Sequence, residues 1–332
     1  MSLLRWSLRI FAWLTFALVL LWCAGTLHFS NFQSDGLRAG LALGFLLIVI
    51  TILARLRPLR RAVTWSLGVS LLVAILYGLT PASNERDWLA DVAVAPTIKV
   101  AGERMTVNGV RDFRYRSEID FDERWETREY DLAALRTLDL VMSYWGPTDY
   151  CHTFLSFGFA NGEQLAVSVE TRKEKGESYS TLGGLFKRYE LIYVFGDERD
   201  LIGVRTNLRG EHLYVYRLQT ESTGIRELLM SYCDYANRLA REPEFYGVLA
   251  NSCGINILQR IADTGSSVIF LGRDALLNGY WDQRLYERGK LDQRLPFEQL
   301  REQSRVDERA REAGDAADFS RRIRAGLPGM SP

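Results

Sequence analysis

Through Thr80 the chain contains no lysine, no glutamate and a single acidic residue, Asp35. Seven arginines, at 5, 9, 38, 55, 57, 60 and 61, give this segment a formal charge of +6, so the remainder carries −6 in a chain of net zero. An asymmetry of that size signals a membrane part joined to a soluble part. Histidine is scarce, with three in the whole chain, and cysteine is limited to four. No internal repeat stands out, which excludes a solenoid or propeller array. A glycine-rich phosphate loop is lacking too, and neither a cofactor nor a nucleic-acid partner is expected.

What the sequence does have is apolar length. Ile10 to Phe29 and Ala62 to Leu79 are uncharged runs of 20 and 18 residues. Between them lies Ala39 to Ala54, which Arg38 and Arg55 can lengthen by snorkelling. A spanning helix needs about 20 residues at ~1.5 Å each, so three spans are expected, over about 10–29, 37–56 and 62–79. A cleaved leader would account for the first run only, and its apolar core would be too long. Arg5, Arg9 and the Arg55-Leu56-Arg57-Pro58-Leu59-Arg60-Arg61 segment belong in the cytoplasm, whereas Ser30 to Gly36 carries no basic residue. Everything after Leu79 should then emerge on the far side, in the periplasm of a bacterium whose inner membrane holds the helices. Were the middle run not inserted, two spans would remain and the domain would change sides. A linker over 81–96 leads to a domain over 97–290, and a charged extension over 291–332 follows.

The domain begins rich in strand signals. Thr97 to Val100 and Arg111 to Tyr115 are short strand candidates separated by an Asn108-Gly109 turn. Asp120 to Asp131 reads as a solvated acidic loop, and Leu138 to Trp145 resumes an apolar strand pattern. The clearest hairpin pairs His152 to Phe159 with Gln164 to Glu170 around Asn161-Gly162. Alternation puts His152, Phe154 and Ser156 on one face, and Ala166, Ser168, Glu170 and Arg172 on one face of the returning arm. Arg172 to Lys187 reads as a mobile polar loop. Tyr189 to Phe195, Leu201 to Thr206 and His212 to Leu218 are further strand candidates, with Asp197-Glu198-Arg199-Asp200 as a charged hairpin turn. Thr223 is expected to cap a helix running to Arg241. A second helix begins near Ser252-Cys253 and buries Ile255, Leu258 and Ile261. The charged tail from Leu291 reads as an exposed helix laid on the domain or as a mobile extension.

Chemistry narrows to few residues. Cys151, Cys233 and Cys253 lie beyond the membrane part, an odd number for an oxidising compartment, so at least one is left over. Cys253 follows Asn251-Ser252 at a helix start, where backbone N–H groups and the helix dipole favour a thiolate and could hold an oxyanion. His152 is the candidate base, and Glu170 on the partner arm the candidate orienting carboxylate. Two bland readings compete: a buried structural cysteine and a satisfied strand histidine. Cys151, His152, Cys233 and Cys253 are also zinc-type ligands, but without the close paired spacing of zinc modules, and no metal is expected. A Cys151–Cys233 disulfide would leave Cys253 free. Cys23 reads as packing within a span, and His212 as a strand-edge residue.

His152-Thr-Phe-Leu-Ser-Phe-Gly-Phe, Ser168-Val-Glu-Thr-Arg172, Tyr189-Glu-Leu, Asp197-Glu-Arg-Asp200, Arg205-Thr-Asn207 and Phe245-Tyr246 leading to Cys253 resemble the Lnb-type N-terminal periplasmic domain family, from about Ile98 to Ile261. That family takes its name from a lipoprotein intramolecular transacylase, which moves an acyl chain from the lipid of a lipoprotein to its N-terminal amine. The order of parts is also similar to permuted papain-like enzymes, the NlpC-type peptidases among them. The resemblance implies Cys253 as nucleophile, His152 as base and Glu170 as orienter. It adds Asn251, Ser252, Ser168, Tyr189 and Arg172 as candidate substrate or oxyanion contacts. Ser252 stands where the family usually has asparagine directly before the cysteine, and Gly254 where threonine usually follows.

The resulting expectation is α+β: three membrane helices, then a permuted papain-like domain with an antiparallel sheet and packed helices. The activity expected is cysteine-dependent acyl transfer or hydrolysis on a lipid or lipoprotein at the bilayer. The alternatives are a peptidoglycan peptidase or amidase and a noncatalytic envelope-binding module; no oligomeric state follows from the sequence.

Overall fold

The computed structural model describes residues 2–32, 34–266, 270 and 272–330. Position 1 and positions 33, 267–269, 271, 331 and 332, the latter within the expected first loop, domain and tail, lie outside the described residues. The chain divides into two units.

The first unit holds three helices, α1 (Ser2–His28), α2 (Asp35–Arg55) and α3 (Leu59–Leu79), together with residues 178–190 and 245–248. All three helices are long and apolar enough to cross a membrane. Ser34 caps α2 by accepting from the Leu37 N–H at 3.3 Å, Asp35 sits in its first turn and Arg55 in its last, as the helix dipole favours. Arg38 is buried, and its charge is met by Asp35 and by the Phe32 carbonyl at 2.7 Å. Cys23, Phe45, Val49 and Val73 form the small core between the helices. Most of the remaining leucines, such as Leu43, Leu47, Leu71 and Leu76, face outward, the inverse of a water-soluble bundle.

The second unit is built on a twisted sheet. Its strands are β1 (Thr97–Ala101), β2 (Arg104–Arg111), β5 (Trp125–Asp131), β6 (Leu135–Tyr144), β7 (His152–Phe159), β8 (Gln164–Arg172), β9 (Glu190–Gly196) and β10 (His212–Arg217), while β3 (Arg114–Tyr115) and β4 (Phe121–Asp122) form a small separate pair. Helices α4 (Glu198–Leu201), α5 (Ser222–Arg241), α6 (Cys253–Asp263), α7 (Arg273–Leu276), α8 (Trp281–Glu287), α9 (Phe297–Gln303), α10 (Asp307–Ala313) and α11 (Phe319–Arg324) surround it. The main order is β1-β2-β9-β8-β7-β6-β10, with β5 paired to β2. The sheet is mixed rather than purely antiparallel, because β2 and β9 run parallel through Arg111 and Gly196.

Alternation along the strands divides the core. Val141, Phe154, Ala166, Ile192, Val194, Leu213 and Val215 face one way and pack on Val306, Ala310, Phe319, Ile323 and Leu327 of the tail. On the other face Phe157 and Tyr193 meet Tyr232 of α5 at ring-centroid distances of 6.2 and 5.3 Å. The tail is therefore part of the core, neither an exposed helix nor a mobile extension. Arg324 fixes it, donating to Asp139 at 2.8 Å and to Glu198 at 2.6 and 2.5 Å, all three groups being buried.

Several local expectations are corrected. The turn between β1 and β2 is made at Gly102, with φ +64°, whereas Asn108-Gly109 lies inside β2 at a β-bulge. A glycine at φ +81° serves a bulge as well as a turn. Residues 125–131 pair with β2 as a charged outer strand, with Tyr130 turned inward, so they are not a loop. Leu201 to Thr206 is helical, spanning the end of α4 and a wide turn over Val204–Leu208. The Asp197–Asp200 run is no exposed hairpin turn: Asp197 caps α4, and Asp200 is buried in a two-pronged pair with Arg111 at 2.8 and 2.9 Å. Glu221, not Thr223, precedes α5. In α6 the fully buried residues include Asn256, Ile257 and Leu258, while Ile255 and Ile261 are half-buried.

Candidate active site

The β7–β8 hairpin brings two chemistries onto one face. Its ladder pairs Ser156 with Ala166 and Leu155 with Val167, and the same register carried outward sets His152 opposite Glu170. Asn161-Gly162 closes the hairpin, with Gly162 at φ +87°. At the open end His152 Nε2 lies 2.7 Å from Ser168 Oγ and 3.1 Å from Glu170 Oε1. Ser168 Oγ in turn donates to Glu170 Oε1 at 2.7 Å. Arg205, buried in the wide turn after α4, donates to the same Glu170 oxygen at 2.7 Å and lies over the Phe154 ring at 5.3 Å. Glu170 is thus held by an arginine, a hydroxyl and an imidazole.

Cys253 is the first residue of α6 and is half-buried. Asn256, fully buried, fixes the chain just before it. Its side-chain amide donates to the carbonyls of Asn251 and Ser252, and its oxygen accepts from Tyr193 Oη at 2.8 Å. Cys253 Sγ lies 4.0 Å from the Cys151 carbonyl, and His152 and Thr153 are near enough to the thiol to favour its charged form. Asn278 closes the other side: its Nδ2 donates to the Cys151 carbonyl at 2.7 Å and to Thr153 Oγ1 at 3.3 Å, and reaches Cys253 Sγ at 3.7 Å.

Electrostatics follow from these contacts. Burial disfavours a protonated His152, but the Glu170 charge and the bonds to Cys253 and Glu170 outweigh it and raise the imidazole to about 9. Burial would raise the Cys253 thiol, yet the neighbouring His152 charge and Thr153 bring it below its ordinary value. Burial pushes at Glu170 too and is overcome by His152 and Arg205, which hold it well below the usual carboxylate range. The arrangement keeps His152 protonated through neutral pH and shifts Cys253 toward its thiolate. Cys151 and Cys233 are different: burial raises both thiols, and Cys233 packs against Met105 sulfur at 3.7 Å.

Residues 121–273 match the family model of the Lnb N-terminal periplasmic domain. No curated protein and no solved structure matches the chain. The matched segment contains His152, Ser168, Glu170, Arg205 and Cys253, and stops short of Asn278.

Other residues singled out in the sequence lie elsewhere or act through their backbone. Arg172 donates to the Val92 and Ala93 carbonyls and to Asn84 Oδ1, with its guanidinium 4.5 Å over Trp88, so it clamps the strand to the segment before β1. Tyr189 lies in the first unit, where its hydroxyl donates to the Ser178 carbonyl at 2.8 Å. Asn251 and Ser252 offer their carbonyls to Asn256, and Ser252 makes no side-chain cap. All four cysteines are free, so no Cys151–Cys233 disulfide forms. Among the described residues no cluster of histidine, cysteine or carboxylate is placed to hold a metal, and the zinc-type set does not assemble. His212 is exposed on the outermost strand beside Asp307 at 3.1 Å. Arg205, Thr153 and Asn278 carry no signal in isolation; Arg205 and Thr153 stand within the quoted motifs and Asn278 in none.

Proposed function

We propose that the protein is a membrane-anchored thiol acyltransferase or hydrolase acting on lipid or lipoprotein acyl groups, with Cys253 as nucleophile, His152 as acid and base, and Glu170 as the group that orients and charges the imidazole. The observation that carries this reading is the His152–Glu170 pair at 3.1 Å, backed by Arg205, beside a Cys253 thiol whose proton affinity His152 lowers. The Lnb match supports a permuted papain-like arrangement over 97–290 and a periplasmic position for it, with the helices in a bacterial inner membrane.

In the first step the Cys253 thiolate attacks an ester carbonyl, and a C–S bond forms as the carbonyl π bond opens to an oxyanion. Asn278 Nδ2, 3.7 Å from the sulfur, is a donor for that charge. Collapse breaks the ester C–O bond, and the departing alkoxide takes the His152 proton. An amine or water then attacks the acyl-thioester and gives its proton back to His152, and the thiolate leaves. Trp145, Tyr150, Leu249, Leu276 and Tyr280, all exposed, flank the segments that carry the site and suit an acyl chain better than a charged glycan.

The test is to incubate detergent-solubilised protein with a p-nitrophenyl acyl ester and follow nitrophenolate release, with mass spectrometry of Cys253. Wild type should give a burst and a hydroxylamine-sensitive acyl adduct on the Cys253 peptide; Cys253→Ala should give neither. Equal release by both proteins sinks the covalent mechanism. Turnover of muropeptides with no acyl adduct would favour a cell-wall peptidase instead.

A further inference from the structure

The 178–190 segment, most of which falls in the Arg172 to Lys187 stretch that reads in the sequence as a mobile polar loop, is tied to the ends of two apolar helices within its own unit. Phe186 lies against Gly25 in the last turn of α1, so closely that a Cβ there would come within 2.4 Å of the ring, and it stacks on Phe29 at 5.3 Å. Lys187 Nζ donates to the Tyr77 carbonyl at 2.9 Å and the Thr80 carbonyl at 3.2 Å, and lies 4.9 Å over the Tyr77 ring. That is a cation at the negative end of the α3 dipole. The segment is also braced internally. Ser180 N donates to Tyr189 Oη at 2.9 Å, Gly184 N to the Ser180 carbonyl at 3.0 Å, and Val248 N to the Gly184 carbonyl at 2.9 Å.

On this braced loop Leu182 and Leu185 are 61% and 46% exposed, and Tyr179 is 47% exposed. A loop fixed in place with two leucines turned outward is not shaped for water. Its anchors say what covers it. The 21 residues of α3 span ~31 Å, about one hydrocarbon core, so Thr80 stands at a bilayer boundary. Leu76 and Leu79, in the last turn of α3, are themselves exposed on the surface that lipid would cover. Phe186 and Lys187, adjacent in sequence, place the end of α1 and the loop at that same boundary.

We propose that residues 179–185 dip into the bilayer interface at the C-terminal ends of α1 and α3, with Leu182 and Leu185 among the upper acyl chains and Tyr179 at headgroup level, where tyrosine is favoured. The occupant is the membrane's own lipid. The inference rests on the three helices spanning a bilayer and is independent of the chemistry at Cys253.

A test uses the full chain with Cys253→Ser, in which the three remaining cysteines are buried, carrying Leu182→Cys or Leu185→Cys labelled with an environment-sensitive fluorophore. The protein is reconstituted in vesicles of phosphatidylethanolamine and phosphatidylglycerol, with or without phosphatidylcholine bearing a nitroxide high on one chain. Leu43→Cys, on the outward face of α2, reports whether the helices are inserted. Nitroxide lipid should cut the emission at 182 and 185 by about half, and aqueous iodide should have little effect. Quenching by iodide and not by nitroxide overturns the proposal, and so does shielding from both, which would mean that protein covers the loop. A Leu43 probe indifferent to lipid nitroxide would overturn the spanning helices and the loop insertion together.

Discussion

A cysteine with an ordinary thiol is mostly protonated at neutral pH, and the neighbouring His152 shifts Cys253 toward the thiolate. Cys151 and Cys233 are pushed the other way by burial. Iodoacetamide at pH 7 should therefore modify the native protein once, at Cys253, as peptide mapping would show; labelling spread over all the cysteines would contradict the assigned environments. The sign of the pH dependence also follows. His152, raised to about 9, keeps its proton through neutral pH and loses it near pH 9, so ester turnover, which needs the imidazolium as acid, should fall along an alkaline limb near that value. Glu170→Gln removes the charge that raises the imidazole, leaving burial to lower it, and Cys253 loses its cationic partner in turn. The alkaline limb should move to lower pH, the alkylation rate at pH 7 should drop, and turnover should fall roughly a hundred- to ten-thousand-fold. An unchanged profile in this variant would remove Glu170 from the site.

At the scale of elements the thiol depends on how a strand start and a helix start are held against each other. Asn278, 6% exposed, bonds to both the N–H and the carbonyl of Cys151 and to Thr153, and so fixes the β7 entry while its own Nδ2 reaches Cys253 Sγ. Asn278→Ala should cost about 1–3 kcal/mol, because buried backbone groups lose their partner, and should slow Cys253 alkylation. Melting temperature and labelling rate, measured together, check it; a destabilised protein with full thiol reactivity would make Asn278 merely structural. Such an element is hard to read in sequence, since one asparagine in a polar stretch looks like any turn. The β7–β8 hairpin was legible because Asn161-Gly162 and strict alternation agree, and they alone set His152 opposite Glu170. Leu201 to Thr206 has strand-like composition, yet Asp197 caps a helix there and tertiary burial of Asp200 by Arg111 overrides the local preference. Asn108-Gly109 misled in another way, since a positive-φ glycine marks a bulge and a turn alike.

For the whole molecule the largest departure from sequence reasoning is the tail, whose apolar residues are diluted among charges and still complete one face of the sheet. Val306, Ala310 and Ala313 fall a helical turn apart, and Phe319 and Ile323 repeat the spacing, so the stripe is present but narrow. The buried charges explain why composition misled. Arg324 meets Asp139 and Glu198, and Glu198 also accepts from Ser156 Oγ at 2.6 Å, on the same face of β7 as His152. Removing one member of such a network is costly because the others stay buried and charged, whereas removing charge from both sides is not. Arg324→Ala should therefore destabilise the domain by about 3–5 kcal/mol, seen as a lowered melting temperature of the full chain. Adding Glu198→Gln to it should recover part of that loss, while Glu198→Gln alone, which strands one arm of Arg324, should destabilise. A peripheral tail predicts no change in melting for any of the three variants. The tail also packs on Phe154, over which Arg205 lies, so loosening it should lower Cys253 alkylation in Arg324→Ala more than in the double variant. If thiol reactivity were the same in both, the tail would be holding the fold without holding the site.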